Sequence, residues 1–201
     1  MMSNRLLPPG VLVVLEGLDK TGKTTQAQAL EVALDPQTTS HVHMPRGFTN
    51  FTEQTYALLE SDDRPTSGLA RQLAHLACHA ESMDRIREIL AERAVLLDRW
   101  WWSAVAYGWY SGEIPAAGVG RETYMGLVRE VWAPLTASVI FLFDQPHELD
   151  ANNLRRIHEG YQELASEYDD VTVRVPPGDE KSVTTFILDT LGSRGLLAGH
   201  G

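Results

Sequence analysis

Cysteine and long apolar runs are the clearest deficits of this 201-residue sequence. Cys78 is the only cysteine, which excludes a disulfide framework and a cysteine metal cluster. No apolar run approaches the ~18 residues that a membrane-spanning helix needs. The N-terminal "MMSNRLLPPG" has one arginine and too short an apolar stretch for a signal peptide. We therefore expect a cytoplasmic protein with no membrane partner.

Basic residues are also scarce. The chain has 17 Lys and Arg against 27 Asp and Glu, for a net charge of −10. An acidic chain gains little from contact with phosphate backbones, so its bulk charge argues against a general nucleic-acid binder. A local basic pocket remains compatible with this charge. Apolar residues make up 43% of the chain, which is enough for the core of one α/β domain.

Short apolar runs alternate with helical patterns along the chain. The predicted strands are Val11–Glu16, Ser40–Met44, Ala94–Leu97, Ser138–Phe143 and Val171–Val175. The predicted helices are Thr24–Leu34, Phe51–Glu60, Leu69–Arg93, Trp101–Tyr110, Arg121–Trp132, Asn152–Tyr168 and Ser182–Leu191. This alternation predicts a parallel sheet covered on both faces. We expect a single domain over residues 1–201, with a core of about 11–191, a flexible N-terminus and a frayed C-terminal tail.

The stretch from Gly17 to Thr24 matches G-x-x-x-x-G-K-[ST] between a predicted strand and a predicted helix. Glycines let backbone N–H groups curl around an anion, and the helix presents its positive N-terminus to the same phosphates. Lys23 would reach the β- and γ-phosphates, and the Thr24 hydroxyl would bind Mg²⁺. The alternative is an ordinary glycine turn. The motif predicts an ATP site whose phosphate contacts are Gly17, Asp19, Lys20, Thr21, Gly22, Lys23, Thr24 and Thr25.

Asp98 and Arg99 follow the apolar run "AVLL" at the carboxyl end of a predicted strand. Ligands of parallel α/β sheets bind at that edge, so Asp98 could hold Mg²⁺ directly or through water. Asp98 could equally cap the next helix. Arg99 could clamp an acceptor phosphate or form a surface ion pair.

Three segments resemble the thymidylate kinase family, and the resemblance extends from about Val11 to Leu191. "EGLDKTGKTTQ" is similar to the phosphate loop of that family, and "LLDRWWWSAVAYG" to its D-R-[YH]-x-x-S-x-x-A-Y segment. "MPRG" is similar to the exit of its second strand. The resemblance implies an α/β P-loop NTPase fold with three α/β/α layers and a five-stranded parallel sheet. It also implies a homodimer that uses ATP and Mg²⁺ to phosphorylate dTMP.

The same resemblance implies roles for single residues. Asp19 would contact the acceptor sugar or the Mg²⁺ shell, and Tyr107 would lie under the sugar and disfavour a 2′-hydroxyl. Lys20, inside the loop, would stabilise charge on the transferred group unless it is a solvated lysine. The implied catalytic residues are Lys20, Lys23, Asp98 and Arg99, and the implied acceptor contacts are Asp19, Arg46, His75, His79, Arg99, Ser103 and Tyr107.

The chain departs from the family in two places. His75 and His79 stand where the family has a Phe that stacks on thymine and an Arg that hydrogen-bonds the base. Their spacing places both on one helix face, and they could also be structural histidines or, with a third ligand, a metal site. The second departure is the lid, where a short linker leaves only Arg155 and Arg156 as basic candidates. Both could reach the phosphates or lie on a solvated helix face.

These features predict ATP- and Mg²⁺-dependent phosphoryl transfer to dTMP or a related pyrimidine deoxynucleotide. An alternative acceptor is a modified pyrimidine nucleotide or a modified base in DNA, although the charge of −10 disfavours DNA. A further alternative is a nucleotide-binding relative without turnover. The presence of Lys23, Thr24, Asp98 and Arg99 together argues against it. We expect Trp101 and Trp102 to be core residues.

Overall fold

Five parallel strands form one sheet in the computed structural model, which describes residues 5–145 and 155–198. The strands are β1 Leu12–Gly17, β2 Thr39–His43, β3 Ala94–Asp98, β4 Val139–Phe143 and β5 Thr172–Arg174. Their spatial order is β2-β3-β1-β4-β5. All five predicted strands are confirmed within two residues at each end. β1 lies at the centre of the sheet, so the loop that follows it opens at the middle of the carboxyl edge.

Helices cover both faces of the sheet. They are α1 Lys23–Ala33, α2 Asn50–Leu59, α3 Gly68–Glu92, α4 Trp101–Val105, α5 Glu113–Ala116, α6 Arg121–Trp132, α7 Arg155–Glu167 and α8 Glu180–Ser193. Residues Ala106–Tyr110 continue α4 as a π-helical turn. The start of the predicted helix Asn152–Tyr168 lies outside the described residues.

Two local predictions differ from the structure. The helix expected over Trp101–Tyr110 widens into the π turn, where the Tyr124 hydroxyl packs so closely on Gly108 that a Cβ there would lie 2.4 Å from it. The loop expected around "SGEIPAAGVG" contains α5, which starts after Gly112 in a left-handed conformation (φ 95°). A four-residue helix is too short to show helical periodicity, so its sequence reads as a loop.

Alternate side chains of the strands pack in two apolar clusters, one on each face of the sheet. Leu12, Val14 and Leu97 face the cluster formed with α3, α4 and α6, which contains Trp101 and Trp102. Val13, Leu15 and Leu96 face the cluster formed with α1 and α8. Since both faces of every central strand are buried, the strands read as continuous apolar runs. The prediction that Trp101 and Trp102 are core residues is confirmed.

The described part of the C-terminal tail is packed rather than frayed. Leu196 and Leu197 contact the apolar cluster of α1 and α8. The backbone N–H of Ala198 donates to the carbonyl of Leu6 at 2.8 Å. Residues 1–4 and 199–201, which belong to the predicted flexible ends, lie outside the described residues. In the parts of the chain that are described, no helix is long and apolar enough to cross a membrane.

Candidate active site

The loop between β1 and α1 has the backbone shape of an anion cradle. Gly17 has φ 134°, and a Cβ at this position would lie 2.0 Å from the Phe143 carbonyl oxygen. Lys20 (φ 59°) and Gly22 (φ 89°) are left-handed. Gly22 caps α1 without a side-chain hydrogen bond, so no capping side chain occupies the N–H groups of the first turn. These N–H groups and the helix dipole can bind an anion.

Lys23 is buried inside this loop, and its ammonium group is turned inward. Nζ donates to the carbonyl oxygen of Leu18 and lies 3.4 Å from Thr21 Oγ1. Burial, followed by the charge of Arg99, lowers the pKa of Lys23 to about 7. A bound polyphosphate would supply the anion that this desolvated cation lacks, and would thereby favour its charged form.

Asp98 lies at the carboxyl end of β3, beside the start of α1. Its Oδ2 accepts a hydrogen bond from His43 Nδ1 at 3.1 Å and lies 3.4 Å from Thr24 Oγ1. Burial alone would raise the pKa of Asp98, but the hydrogen bond from His43 and the charge of Arg99 lower it below its usual value. Oδ1 is buried without a partner among the described residues. A carboxylate with one oxygen without a partner, and the other near a threonine hydroxyl, fits the oxygen ligands that Mg²⁺ prefers.

Arg99 joins the phosphate loop to the "DRWWWS" segment. Arg99 is left-handed (φ 72°), which is uncommon for a non-glycine residue and typical of constrained sites. Its guanidinium donates to Asp19 and, at 3.3 Å, to Ser103 Oγ, and its Cζ lies 5.9 Å from the Tyr107 ring centroid. The backbone N–H of Asp19 donates to Tyr107 Oη at 2.9 Å. The structure thus brings four predicted site residues into one cluster.

Glu16 organises this cluster from beneath, a role that the sequence analysis missed. It is fully buried at the end of β1, and burial raises its pKa. Oε1 accepts from the backbone N–H groups of Trp100 (2.7 Å) and Ser103 (2.9 Å), and Oε2 from the hydroxyls of Ser103 (2.8 Å) and Tyr161 (3.2 Å). The available signal was an acidic residue in the apolar run "VLVVLEG", because a buried carboxylate requires several donors.

A cavity of 690 Å³ opens beside this cluster. Of the predicted acceptor residues it is lined by Asp19, His75, His79, Arg99, Ser103 and Tyr107. It is also lined by residues that the sequence analysis did not single out, among them His43, Tyr56, Arg71, Gln72 and Glu113. Arg46 is not among its lining residues: its side chain is 59% exposed and pairs with Glu53 at 3.0 Å. The cavity therefore contains all the predicted acceptor contacts except Arg46.

His75 and His79 are neutral in this environment. Burial lowers the pKa of His75 to about 4 and that of His79 to about 3. His79 Nδ1 accepts a hydrogen bond from Trp132 Nε1 at 3.0 Å, a contact that the sequence did not predict. Within residues 5–145 and 155–198, no group of three His, Cys, Asp or Glu side chains could hold a metal ion. The described residues therefore supply no third ligand for a metal site at this histidine pair.

A smaller cavity of 230 Å³ lies on the other side of the phosphate loop. Thr21, Gly22, Thr25 and Gln26 form one wall, and the segment after β5, residues 176–178, forms the opposite wall. Gln26 is held there because its Nε2 donates to the Glu180 carbonyl at 3.0 Å. Asp19 and Thr24 line the larger cavity, so the phosphate loop contributes to both.

The lid candidates Arg155 and Arg156 are the first two residues of α7. Arg155 is 91% exposed at the start of α7 and pairs with Glu159 at 2.8 Å. Arg156 is exposed in the same turn. Most of the segment predicted to be a reduced lid, residues 146–154, lies outside the described residues. The structure therefore leaves the predicted contact of Arg155 and Arg156 with phosphates as a prediction.

Known proteins resemble this chain over most of its length. A sequence model of the thymidylate kinase family matches residues 15–175. A thymidylate kinase from Synechococcus sp. (strain CC9311) is 30% identical over 193 residues, covering 82% of this chain and 87% of that protein. A thymidylate kinase from Nostoc punctiforme is 25% identical over 200 residues, covering 90% and 95%.

Solved structures share the fold. The thymidylate kinase of Candida albicans superposes with a TM-score of 0.70 at 19% identity, covering 96% of each chain. That of Ehrlichia chaffeensis superposes with a TM-score of 0.72 at 20% identity, covering 92% of this chain and all of the other. At these identities the superpositions support the α/β fold with its five-stranded parallel sheet.

Proposed function

Because the chain belongs to the thymidylate kinase family, we propose that this nucleotide kinase transfers the γ-phosphoryl group of ATP to dTMP with the aid of Mg²⁺. The observation that carries the proposal is the position of the phosphate loop between two cavities. Thr21 and Gly22 line the smaller one, and Asp19 and Thr24 line the larger one. A phosphate donor in the first and an acceptor in the second would meet at Lys23, Asp98 and Arg99.

ATP would bind with its base in the smaller cavity and its phosphates on the loop. Backbone N–H groups from Gly17 to Thr24 and the N-terminus of α1 would hold the phosphates. Lys23 Nζ would exchange the Leu18 carbonyl for the β- and γ-phosphates. Thr24 and Asp98 would hold Mg²⁺, which neutralises negative charge on the transferring group when it is bound.

The acceptor phosphate would lie against Arg99, whose guanidinium is held by Asp19 and Ser103. Tyr107, packed beside Arg99, would cover the sugar. Lys20 would stabilise charge on the transferred group. An acceptor phosphate oxygen attacks the γ-phosphorus, the bond to the β–γ bridging oxygen breaks, and ADP leaves. Positioning and electrostatics supply the catalysis, with no protein nucleophile.

Arg46 contributes to this acceptor site only if it leaves Glu53, so the phosphate clamp proposed here rests on Arg99. We also propose, from family membership, a homodimer in the cytoplasm. Light scattering of the purified protein tests the dimer, which a monomeric mass would contradict.

The function is tested by ADP release from ATP and Mg²⁺ with a panel of acceptors. The panel contains dTMP, dUMP, dCMP, 5-hydroxymethyl-dUMP, a single-stranded oligonucleotide and a blank without acceptor. We expect release that depends on dTMP. Turnover with the oligonucleotide but with none of the monophosphates would indicate that the acceptor is a polymer. ATP binding without turnover on any acceptor would contradict kinase activity.

A further inference from the structure

The hydrogen bond between Trp132 and His79 determines which nitrogen of the imidazole carries the proton. Trp132 Nε1 lies 3.0 Å from His79 Nδ1. The indole N–H is only a donor, so His79 Nδ1 must act as the acceptor. A neutral imidazole whose Nδ1 accepts carries its proton on Nε2. His79 is therefore an Nε2–H donor.

The environment of His79 keeps the ring neutral and oriented. Its exposed fraction is 3%, and its ring meets that of Trp132 edge to face, with centroids 5.3 Å apart at 89°. Trp132 itself is buried in the apolar cluster of α3, α4 and α6. Burial and the neighbouring His75 lower the pKa of His79 to about 3. The donor thus persists across the physiological pH range.

The donating edge of the ring faces the acceptor cavity. His79 lines this cavity together with His75 and Gln72, which lie one and two turns earlier on α3. Nδ1 is directed at Trp132, so Nε2 is the polar edge left for the cavity. No described residue accepts a hydrogen bond from Nε2, and this atom is not among the fully enclosed polar atoms without a partner. A bound molecule can therefore take the hydrogen bond.

We propose that Trp132 locks His79 as a neutral N–H donor that selects an acceptor base with a carbonyl oxygen at pyrimidine position 4. Thymine and uracil present an oxygen there and complete the hydrogen bond. Cytosine presents an amino group, so two donors would meet and both would be left unpaired in a desolvated site. His79 is the specificity residue and Trp132 its positioning residue. The inference rests on the proposed function, since it names the base of the same acceptor.

The test compares dUMP with dCMP, which differ only at the ring edge of positions 3 and 4. For the unaltered protein we expect kcat/KM and nucleotide affinity to favour dUMP by roughly 10- to 100-fold, the range of one unpaired buried group. Trp132→Phe keeps an aromatic ring but removes the N–H, which frees the other tautomer of His79. We expect the preference to fall to within about 3-fold.

Trp102→Phe is the matched control. Trp102 is buried in the same apolar cluster, and its Nε1 has no hydrogen-bond partner among the described residues. This substitution therefore repeats the loss of indole bulk without touching His79. We expect Trp102→Phe to keep the dUMP preference, even if it lowers stability as much as Trp132→Phe does.

Imidazole ¹⁵N spectra report the tautomer independently of turnover. The His79 signals are assigned by their loss in His79→Asn. We expect the Nε2–H form in the unaltered protein and in Trp102→Phe, and a mixture in Trp132→Phe. An Nδ1–H form in the unaltered protein would overturn the inference. So would a Trp132→Phe variant whose tautomer changes while its preference for dUMP stays.

Calorimetric titration of the protein with dUMP and dCMP distinguishes a failure of this inference from a failure of the proposed function. Preference for dUMP over dCMP in binding, without turnover of either, would contradict the kinase function and support the role of His79. Turnover of dUMP and dCMP at equal kcat/KM would support the kinase function and overturn the role of His79.

Discussion

At the residue scale, Lys23 is a buried side chain whose charged form a bound phosphate would stabilise. Its ammonium group donates to the Leu18 carbonyl and is desolvated, with a pKa lowered to about 7. A buried cation held by neutral partners is poorly stabilised. A bound polyphosphate would supply the negative charge that the buried ammonium group lacks. We therefore infer that the contact between Lys23 and the phosphates contributes much of the electrostatic free energy of binding.

We predict that Lys23→Ala lowers kcat by roughly 10²- to 10³-fold, because it removes a preorganised cation from the transferring group. Steady-state ADP release with saturating ATP and dTMP measures the effect. Lys181→Ala is the matched control, since Lys181 is exposed on α8 and we expect it to keep full activity. Turnover of Lys23→Ala close to that of the control would contradict the mechanism.

We propose that Tyr107 excludes a 2′-hydroxyl from the acceptor site. Its hydroxyl accepts the Asp19 N–H, and its ring lines the larger cavity. We predict that Tyr107→Ala lowers the ratio of kcat/KM for dUMP over UMP by roughly 10-fold, because the space for a 2′-hydroxyl opens. Tyr107→Phe, which keeps the ring, should retain most of the ratio. An unchanged ratio in Tyr107→Ala would remove Tyr107 from the sugar site.

At the scale of elements, α3 carries two histidines that are neutral in the folded protein, so the free energy of unfolding depends on pH. In the folded protein, burial lowers the pKa of His79 to about 3, from the usual histidine value of 6.5. Between these values the unfolded chain binds a proton that the folded chain does not. Stability contributed by neutral His79 is therefore present above pH 6.5 and is lost as pH falls toward 3.

We predict that acidification from pH 6.5 to 4.5 lowers the free energy of unfolding by about 2 kcal/mol through His79 alone. Urea titrations at both pH values measure the loss. His79→Asn should lose less over the same interval, because asparagine does not titrate and its amide oxygen can still accept from Trp132. Equal losses in the two proteins would contradict the buried neutral state.

The helices also show which elements the helical periodicity of the sequence predicts and which it does not. The long pattern from Leu69 to Arg93 predicted α3, observed at Gly68–Glu92, since seven turns of regular spacing leave little ambiguity. The four-residue α5 and the π turn Ala106–Tyr110 were missed. Both are determined by packing, in which Tyr124 presses on Gly108 and Glu113 pairs with Arg71.

At the scale of the whole molecule, the strand order of the sheet determines where the residues of the proposed active site meet. β1 lies between β3 and β4, so the phosphate loop and Asp98 emerge side by side although 74 residues separate Thr24 from Asp98. The same arrangement joins Glu16 of β1 to Tyr161 of α7. The helix that follows the predicted lid is thereby connected to the strand that carries the phosphate loop.

The sequence by itself determined the fold class and predicted the phosphate loop of the proposed ATP site. The apolar runs of β1, β3 and β4 specify central strands that are buried on both faces. The loop from Gly17 to Thr24 is contiguous in the sequence, so its motif can be recognised locally. Resemblance to a family added Asp19, Ser103 and Tyr107, which the structure collects around Arg99.

Only the tertiary structure decided the protonation state and the hydrogen bonds of the side chains in the proposed acceptor cavity. Whether His79 is charged or neutral, and which nitrogen donates, depends on Trp132, a residue 53 positions away in the chain. The sequence also did not predict the pairing of Arg46 with Glu53 or the five hydrogen-bond donors around Glu16. Burial and hydrogen bonding between distant segments set pKa and donor direction, and no local pattern encodes either.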